Sequence, residues 1–278
     1  MVKKKRGLAK IILGRAFIFF ILLLMYAPII ILIIFSFTES TNVGTWEGFS
    51  FQLYLDLFKN EEIMQAVFNT LLVALSSGVV ATILGTLGAI GTFYMSPKGK
   101  KMLEGMTQIP IINAEVVIAI SLAVLIVTIK VPFNFLTLLL GHVVLTVAFV
   151  YLSVKPKLVQ MDPSIYEAAL DLGATPSYAM RRVIIPEILP GIVSGFMLSV
   201  TLSLDDYIIT AFLRDNSFET ISTYVQGVIA KSSIPPALRA LTTIIFLVAL
   251  LVLFVNNWKQ KQEEKMKVFH AKGKVTHL

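Results

Sequence analysis

Three carboxylates lie where the surrounding sequence is almost wholly apolar: Glu115 within INAEVVIAISL (residues 112–122), and Asp205 and Asp206 within LSLDDYIITAF (residues 202–212). On insertion scales a carboxylate at the centre of a bilayer costs about 2.5–3.5 kcal/mol, so such a residue ordinarily faces a pathway or a charged partner. Ser199, Ser203, Asp206 and Thr210 fall at i, i+4, i+7 and i+11, one polar stripe of a helix suited to lining a path. Asp205 sits about 100° round from that stripe, on the side of Leu202 and Ile209. Glu115 has only Ile111, Ile118 and Leu122 around it. These runs hold no Lys or Arg, so the acids favour a cationic ligand. Two other uses stay open: neutralising a lysine of a neighbouring subunit, or, for the Asp pair, a place at the outer interface. Trp46 and Tyr207 could offer aromatic faces to a cation, worth about 0.5–2 kcal/mol each. Equally, Trp46 suits a membrane-interface anchor, and Tyr207 suits packing.

Other chemistries find little support. Cysteine is absent and the three histidines (His142, His270, His277) are scattered, so no metal set is expected. The phosphate-cradling pattern G-x-x-x-x-G-K-[ST] does not occur, and Lys98-Gly99-Lys100 lacks its upstream glycine. Without a nucleophile–base pair either, neither an enzyme nor a cofactor is expected.

The elements that hold the acids follow from composition. Of 278 residues 56% are hydrophobic and 15% charged, and mean hydropathy is +0.81. A soluble domain has about 45–50% apolar and about 25% charged residues, so an all-α polytopic membrane protein is indicated. Apolar runs at about residues 16–37, 67–94, 106–129, 135–152, 188–212 and 237–258 predict six transmembrane helices. The first is too long for the apolar core of a signal peptide, about 7–15 residues, and reads as an uncleaved helix.

Basic residues set the orientation. Of the 24 Lys and Arg, only Lys59, Lys130, Arg214, Lys231 and Arg239 fall on one side; the other nineteen fall in the N-terminus, the tail and the even-to-odd loops. Both termini are therefore expected in the cytoplasm. The net charge of +7 thus reports topology, and no nucleic-acid partner is expected. The expected domains are a basic N-terminus (1–15), a six-helix membrane domain (16–258) with a cytoplasmic loop at about 153–187, and a basic tail (259–278).

That loop carries the most specific signal, MDPSIYEAALDLGATPSYAMRRVIIPEILPG from Met161. Asp162-Pro163 reads as a helix start, with Ser164 and Glu167 as an alternative capping box. Gly173 ends that helix, Pro176-Ser177 starts a second, and Pro186 and Pro190 bracket re-entry into the bilayer. Glu167-Ala168-Ala169, Gly173 and Val183-Ile184-Ile185-Pro186 resemble the EAA loop of bacterial ABC importer permeases. Val183 and Ile185 replace that pattern's Ile and Leu, both conservative changes. The stretches around Glu115 and Asp205–Asp206, with Trp46-Glu47-Gly48-Phe49-Ser50, resemble the PotC-type permeases of spermidine/putrescine importers over nearly the whole chain.

The resemblance implies an ABC importer type I permease fold in the bacterial cytoplasmic membrane. In it Glu167, Ala168, Ala169, Gly173 and Pro186 couple to a separate ATP-binding cassette ATPase dimer. Asp206, Asp205, Ser203, Glu115, Trp46 and Tyr207 line the substrate path. The implied partners are a PotB-like second permease, an extracytoplasmic polyamine-binding protein and the lipid bilayer. A permease for another solute and a stand-alone ion-coupled cation carrier are the alternatives. Spermidine is not separable from putrescine on these residues.

Overall fold

A computed structural model of the chain describes residues 8–40, 42, 44–231, 235–251 and 254. The basic residues before position 8 and the tail from 259, assigned above to the cytoplasm, lie outside the described residues. Every regular element among the described residues is helical, and the contacts fall into two units, Met1–Glu61 with Ser233–Leu278 and Glu62–Ser232.

The first unit holds α1 (Leu8–Phe35), α2 (Gln52–Lys59) and α12 (Ala237–Leu251). Residues Leu13–Phe35 are apolar on all sides and unburied, as a helix facing lipid should be. Past its end the chain turns back on an aromatic cluster. Phe37 stacks on Phe49 at 5.6 Å and meets Phe51 edge-on at 5.7 Å, while Tyr54 bonds Ser36 Oγ at 2.8 Å. Arg239, near the start of α12, is buried and donates to the Ser40 carbonyl at 3.0 Å.

The second unit contains α3 (Glu61–Phe93, except Glu61 itself), α4 (Pro97–Ile112), α5 (Glu115–Thr128), α6 (Phe135–Gln160) and α7 (Pro163–Asp171). It continues through α8 (Pro176–Ala179), a π-helical turn (Met180–Ile184), α9 (Ile185–Asp205), α10 (Ile208–Leu213) and α11 (Ile221–Ala230). Helix α6 is the spine. It packs along α9 and also meets α4, α5 and α10. One core joins Ala81, Val150, Val154, Leu158, Ile184 and Ile188; another joins Val73, Ala119, Ile126, Leu138, Ile209 and Leu213. On α6, Gly141 brings α10 close: a Cβ there would overlap the side chains of Leu213 and Ile209.

The spans depart from the six expected. Among the described residues, four helical stretches are long and apolar enough to cross a bilayer, Leu13–Phe35, Glu61–Phe93, Phe135–Gln160 and Pro176–Asp205. The third expected run is broken: α4 and α5 meet at 105°, through Asn113 and Ala114 in extended conformation. Alone, the 14 residues of α5 reach only about 21 Å, short of the roughly 30 Å of a hydrocarbon core. Counting the bent pair as one gives five spans. The sixth run forms α12 as far as Leu251, and beyond it only Phe254 is described.

The fourth run was expected to end near 152, yet α6 continues to Gln160. Lys155 and Lys157 end the apolar run but not the helix; Lys155 pairs with Glu104 of α4 at 2.8 Å. The connection proper is thus residues 161–175. Asn134 caps α6, accepting from the Leu136 and Thr137 amides at 2.8 and 3.1 Å.

Candidate functional site: a carboxylate cluster at two helix breaks

Helix α9 ends at Asp205, and Asp206 takes an extended conformation (φ −65°, ψ 130°) before α10 begins. Two orphan amides at the start of α10 explain the break. Asp206 Oδ1 accepts from Ile209 N–H at 3.0 Å, and Oδ2 accepts from Thr210 N–H at 2.8 Å and Thr210 Oγ1 at 2.7 Å. A carboxylate that satisfies a new helix start competes with continuation of the old helix. Ser222 then holds the Asp206 carbonyl at 2.6 Å.

Behind the break stands His142 of α6, 1% exposed. Its Nδ1 lies 2.7 Å from Ser203 Oγ, and its Nε2 lies 3.1 Å from Thr210 Oγ1 and 3.4 Å from Asp206 Oδ2. Ser77 of α3 donates to Ser203 Oγ at 3.0 Å. The polar stripe read from the sequence therefore converges on one place, but it faces a buried histidine instead of an open path.

Glu115 opens α5 just past the α4–α5 break and is half-buried. Its carboxyl lies close enough to Asp206 and Asp205 to interact electrostatically with both. Helices α5 and α10 pack together, so two broken helices bring three carboxylates into one neighbourhood. The first turns of α5 and α10 favour negative charge. Neither these helices nor α9 carries Lys or Arg. Adjacent carboxylates repel unless a proton or a cation comes between them. This arrangement can therefore hold a cation.

The burial of the two aspartates is the reverse of what the helical face suggested. Asp206 was expected on the path with Asp205 on its flank. Instead the Asp206 side chain is fully buried and Asp205 is exposed, because the helix ends between them and the 100° step no longer applies. Ser203 is buried between Ser77 and His142. Tyr207 is 41% exposed beside the break. Trp46 is 51% exposed and belongs to the first unit, whereas the acids belong to the second. Ser199, on the same stripe, is buried with no hydrogen-bond partner for its hydroxyl among the described residues. Sequence reasoning passed over His142 as a site residue. Its seven-residue spacing from Phe135 and Phe149 marks nothing polar, and only the positions of Ser203 and Thr210 hinted that a partner was needed.

The second feature is the 161–175 connection. Asp162 caps α7, accepting from Ser164 N–H at 2.9 Å, and those bonds from Ser164 hold its carboxyl below the usual value. The Ser164–Glu167 capping box does not form. Gly173, at φ +85°, closes the helix in the left-handed conformation that glycine adopts without strain. Thr175 caps α8, with Pro176 first.

No break follows at the later prolines: α8, the π turn and α9 form one helix in which Ile185 N–H bonds the Met180 carbonyl. That wider turn absorbs the register fault that Pro186, lacking a donor, would otherwise cause. Glu167 and Ala168 are exposed, Ala169 is half-buried, and Pro186 is exposed. An open groove of about 500 Å³ is lined by Ala169, Leu172, Gly173, Ala174, Thr175 and Tyr178, with Leu172 90% exposed. Tyr166 ties the loop inward, its ring 6.0 Å from that of Tyr94.

Comparison with known proteins bears on the family and the fold. Residues 81–268 match the family model for the binding-protein-dependent transport system inner membrane component. The chain is 32% identical over 249 residues to the spermidine/putrescine transport system permease protein PotC of Haemophilus influenzae, covering 90% of this chain and 96% of that one. It is also 32% identical to the putrescine transport system permease protein PotI of Escherichia coli, over 88% and 89% of the two chains. Among solved structures it resembles a bacterial ABC transporter that imports the acidic polysaccharide alginate, with TM-score 0.71 and 19% identity over 92% of this chain and 96% of that one. A second structure of a bacterial alginate transporter, in complex with its pentasaccharide-bound periplasmic protein, gives TM-score 0.69 and 19% identity over 90% and 93%.

Proposed function

The chain belongs to the family of binding-protein-dependent transport system inner membrane components, as an ABC permease of the PotC type, and on that premise we propose that it carries polyamines such as spermidine and putrescine inward across the cytoplasmic membrane. The observation that carries the reading is the cluster of Glu115, Asp205 and Asp206 at two helix breaks that contain no basic residue. A polyamine is a flexible chain of ammonium groups, and each ammonium needs hydrogen-bond acceptors and negative charge in place of water. Asp205 and Glu115 are the two acids within reach of such a ligand, with Tyr207 beside them. Broken helices that expose polar groups only along a path are the membrane's usual answer to this need. The names of the relatives support the same substrate class.

Energy comes from elsewhere, since the chain has no phosphate-binding loop. The exposed groove around Ala169, Leu172 and Gly173 is the surface on which a separate ATPase would dock, with Glu167, Ala168 and Pro186 at its margin. Small side chains allow close approach, and the continuous helix from Pro176 to Asp205 joins the groove to the acid cluster as one lever. The remaining parts of the machine are a second, PotB-like permease and an extracytoplasmic binding protein. With both termini in the cytoplasm, the groove and the ATPase share that side.

Labelled spermidine uptake tests the reading, with the assembled complex quantified in the same cells. Asp205→Asn and Glu115→Gln should each reduce uptake about tenfold or more, the loss of one charge-assisted contact, at unchanged assembly. Normal uptake in both variants would remove the acids from the substrate path.

A further inference from the structure

Asp206 and His142 are the most deeply buried titratable pair among the described residues; transport as described above gives His142 no task and Asp206 no direct contact with the ligand. The contacts around them line up as one hydrogen-bonded chain. Thr210 has a single hydroxyl hydrogen, and Asp206 Oδ2 takes it at 2.7 Å. Thr210 Oγ1 can therefore only accept from His142 Nε2, 3.1 Å away. With Thr210 so engaged, the imidazole carries its proton on Nε2 and accepts at Nδ1. Ser203 Oγ, at 2.7 Å, then donates to Nδ1 and accepts from Ser77 at 3.0 Å. One directed chain results, running Ser77, Ser203, His142, Thr210, Asp206, and at its end the carboxylate accepts the Ile209 and Thr210 amides. The Ser77 hydroxyl also lies 3.3 Å from the Ala74 carbonyl within its own helix.

We infer that His142 is a positioning residue: as a neutral Nε2–H imidazole it locks the α9–α10 break to α3 and α6, so that Asp206 serves as an internal cap and Asp205 and Glu115 remain for the substrate. The chain spans four elements, with Ser77 on α3, His142 on α6, Ser203 on α9 and Thr210 on α10. Nearly all of it is buried, with Ser77 and Thr210 at 0% exposure. A network so placed fixes the register of the break, because in a low-dielectric interior each unmade bond is costly. Glu115 and Asp205 are the other titratable groups facing Asp206, and neither bonds the imidazole. The inference rests on the polyamine reading only for what the lock is for. The lock itself has an independent readout.

The absence of cysteine from the natural sequence makes thiol labelling a clean probe. Ile209→Cys, at a position fully buried in α10, is labelled in the assembled complex with a small cationic methanethiosulfonate, alone and with each change at position 142. His142→Gln keeps a donor where Nε2 stands, His142→Asn reaches only Ser203, and His142→Phe keeps the ring shape but no polar atom. Labelling should stay slow with His142 and with Gln, and rise about tenfold or more with Phe and Asn, the factor set by an unmade buried hydrogen bond. In the chain with native Ile209, KM for spermidine should rise with Phe and Asn and be restored by Gln. If Phe fails to assemble, the contrast of Gln with Asn decides. Equal protection in all four forms with an unchanged KM would overturn the inference, as would Gln behaving like Phe. If the labelling pattern holds but the unsubstituted complex moves no spermidine, the lock stands and the polyamine reading fails.

Discussion

Replacing Asp206 by asparagine separates its two possible roles, because the change keeps the side chain's size and removes its charge. The carboxylate accepts three bonds of 3.0 Å or less, from the Ile209 amide, the Thr210 amide and the Thr210 hydroxyl. Asparagine has one oxygen. Aimed at Thr210, it leaves the Ile209 amide facing an NH₂ group; turned the other way, it leaves both Thr210 donors unmet. At least one buried donor is lost in either case, at about 1–3 kcal/mol. The loss falls on the folded break and not on a ligand. Asp206→Asn should therefore lower the melting temperature or the yield of the assembled complex, with reduced uptake as a consequence. Asp205 is exposed, so Asp205→Asn should leave stability alone and raise KM. The assay is a detergent-solubilised thermal melt of each complex beside labelled spermidine uptake in matched cells. An Asp206→Asn complex of normal stability with a selective loss of substrate affinity, and an Asp205→Asn complex indistinguishable from the unsubstituted one, would refute this assignment of roles.

Other changes probe the remaining elements. Gly173→Val places a β-branched residue at φ +85°, a conformation costing of order 1–3 kcal/mol; ATP hydrolysis by the purified complex should lose its stimulation by binding protein and substrate, while membrane insertion, read by immunoblot, is unchanged. Gly141→Ala should destabilise the complex by about 1–3 kcal/mol through overpacking against Leu213 and Ile209, visible as a lower melting temperature. A reporter fused after Lys259 should register as cytoplasmic and one inserted near Asn216 as external, as the distribution of basic residues requires.

What the sequence revealed and what it hid have the same cause. The 161–175 connection was legible because caps and breakers are local: Asp162, Gly173 and Pro176 each do the work their chemistry dictates. The apolar runs located the membrane helices because hydropathy sums over about twenty residues. That same averaging hid the breaks. Asn113-Ala114 and Asp206-Tyr207 contain neither glycine nor proline, and their neighbours remain as apolar as a continuous helix. The helical-face reasoning for Asp205 and Asp206 assumed that continuity, so it found the polar stripe and reversed its two acids. Lys155 and Lys157 ended an apolar run while α6 carried on, because a helix leaving the bilayer stays a helix. His142 was silent because one histidine among Leu, Val and Thr is unremarkable until Ser203 and Thr210 are brought against it from elements sixty residues away.

The most direct test of the account is uptake itself, in cells deprived of their own polyamine transporters and supplied with this chain and its partner subunits. Labelled spermidine and putrescine are offered alone and in competition with unlabelled diamines of several lengths, with a diol of matched length and with a dicarboxylate. The account predicts saturable uptake above the empty-vector background, competed by the amines and untouched by the diol and the dicarboxylate. It also predicts that the double change Glu115→Gln, Asp205→Asn abolishes the difference between amine and diol. No uptake above background from a fully assembled complex, or competition by the diol as strong as by the amines, would contradict it.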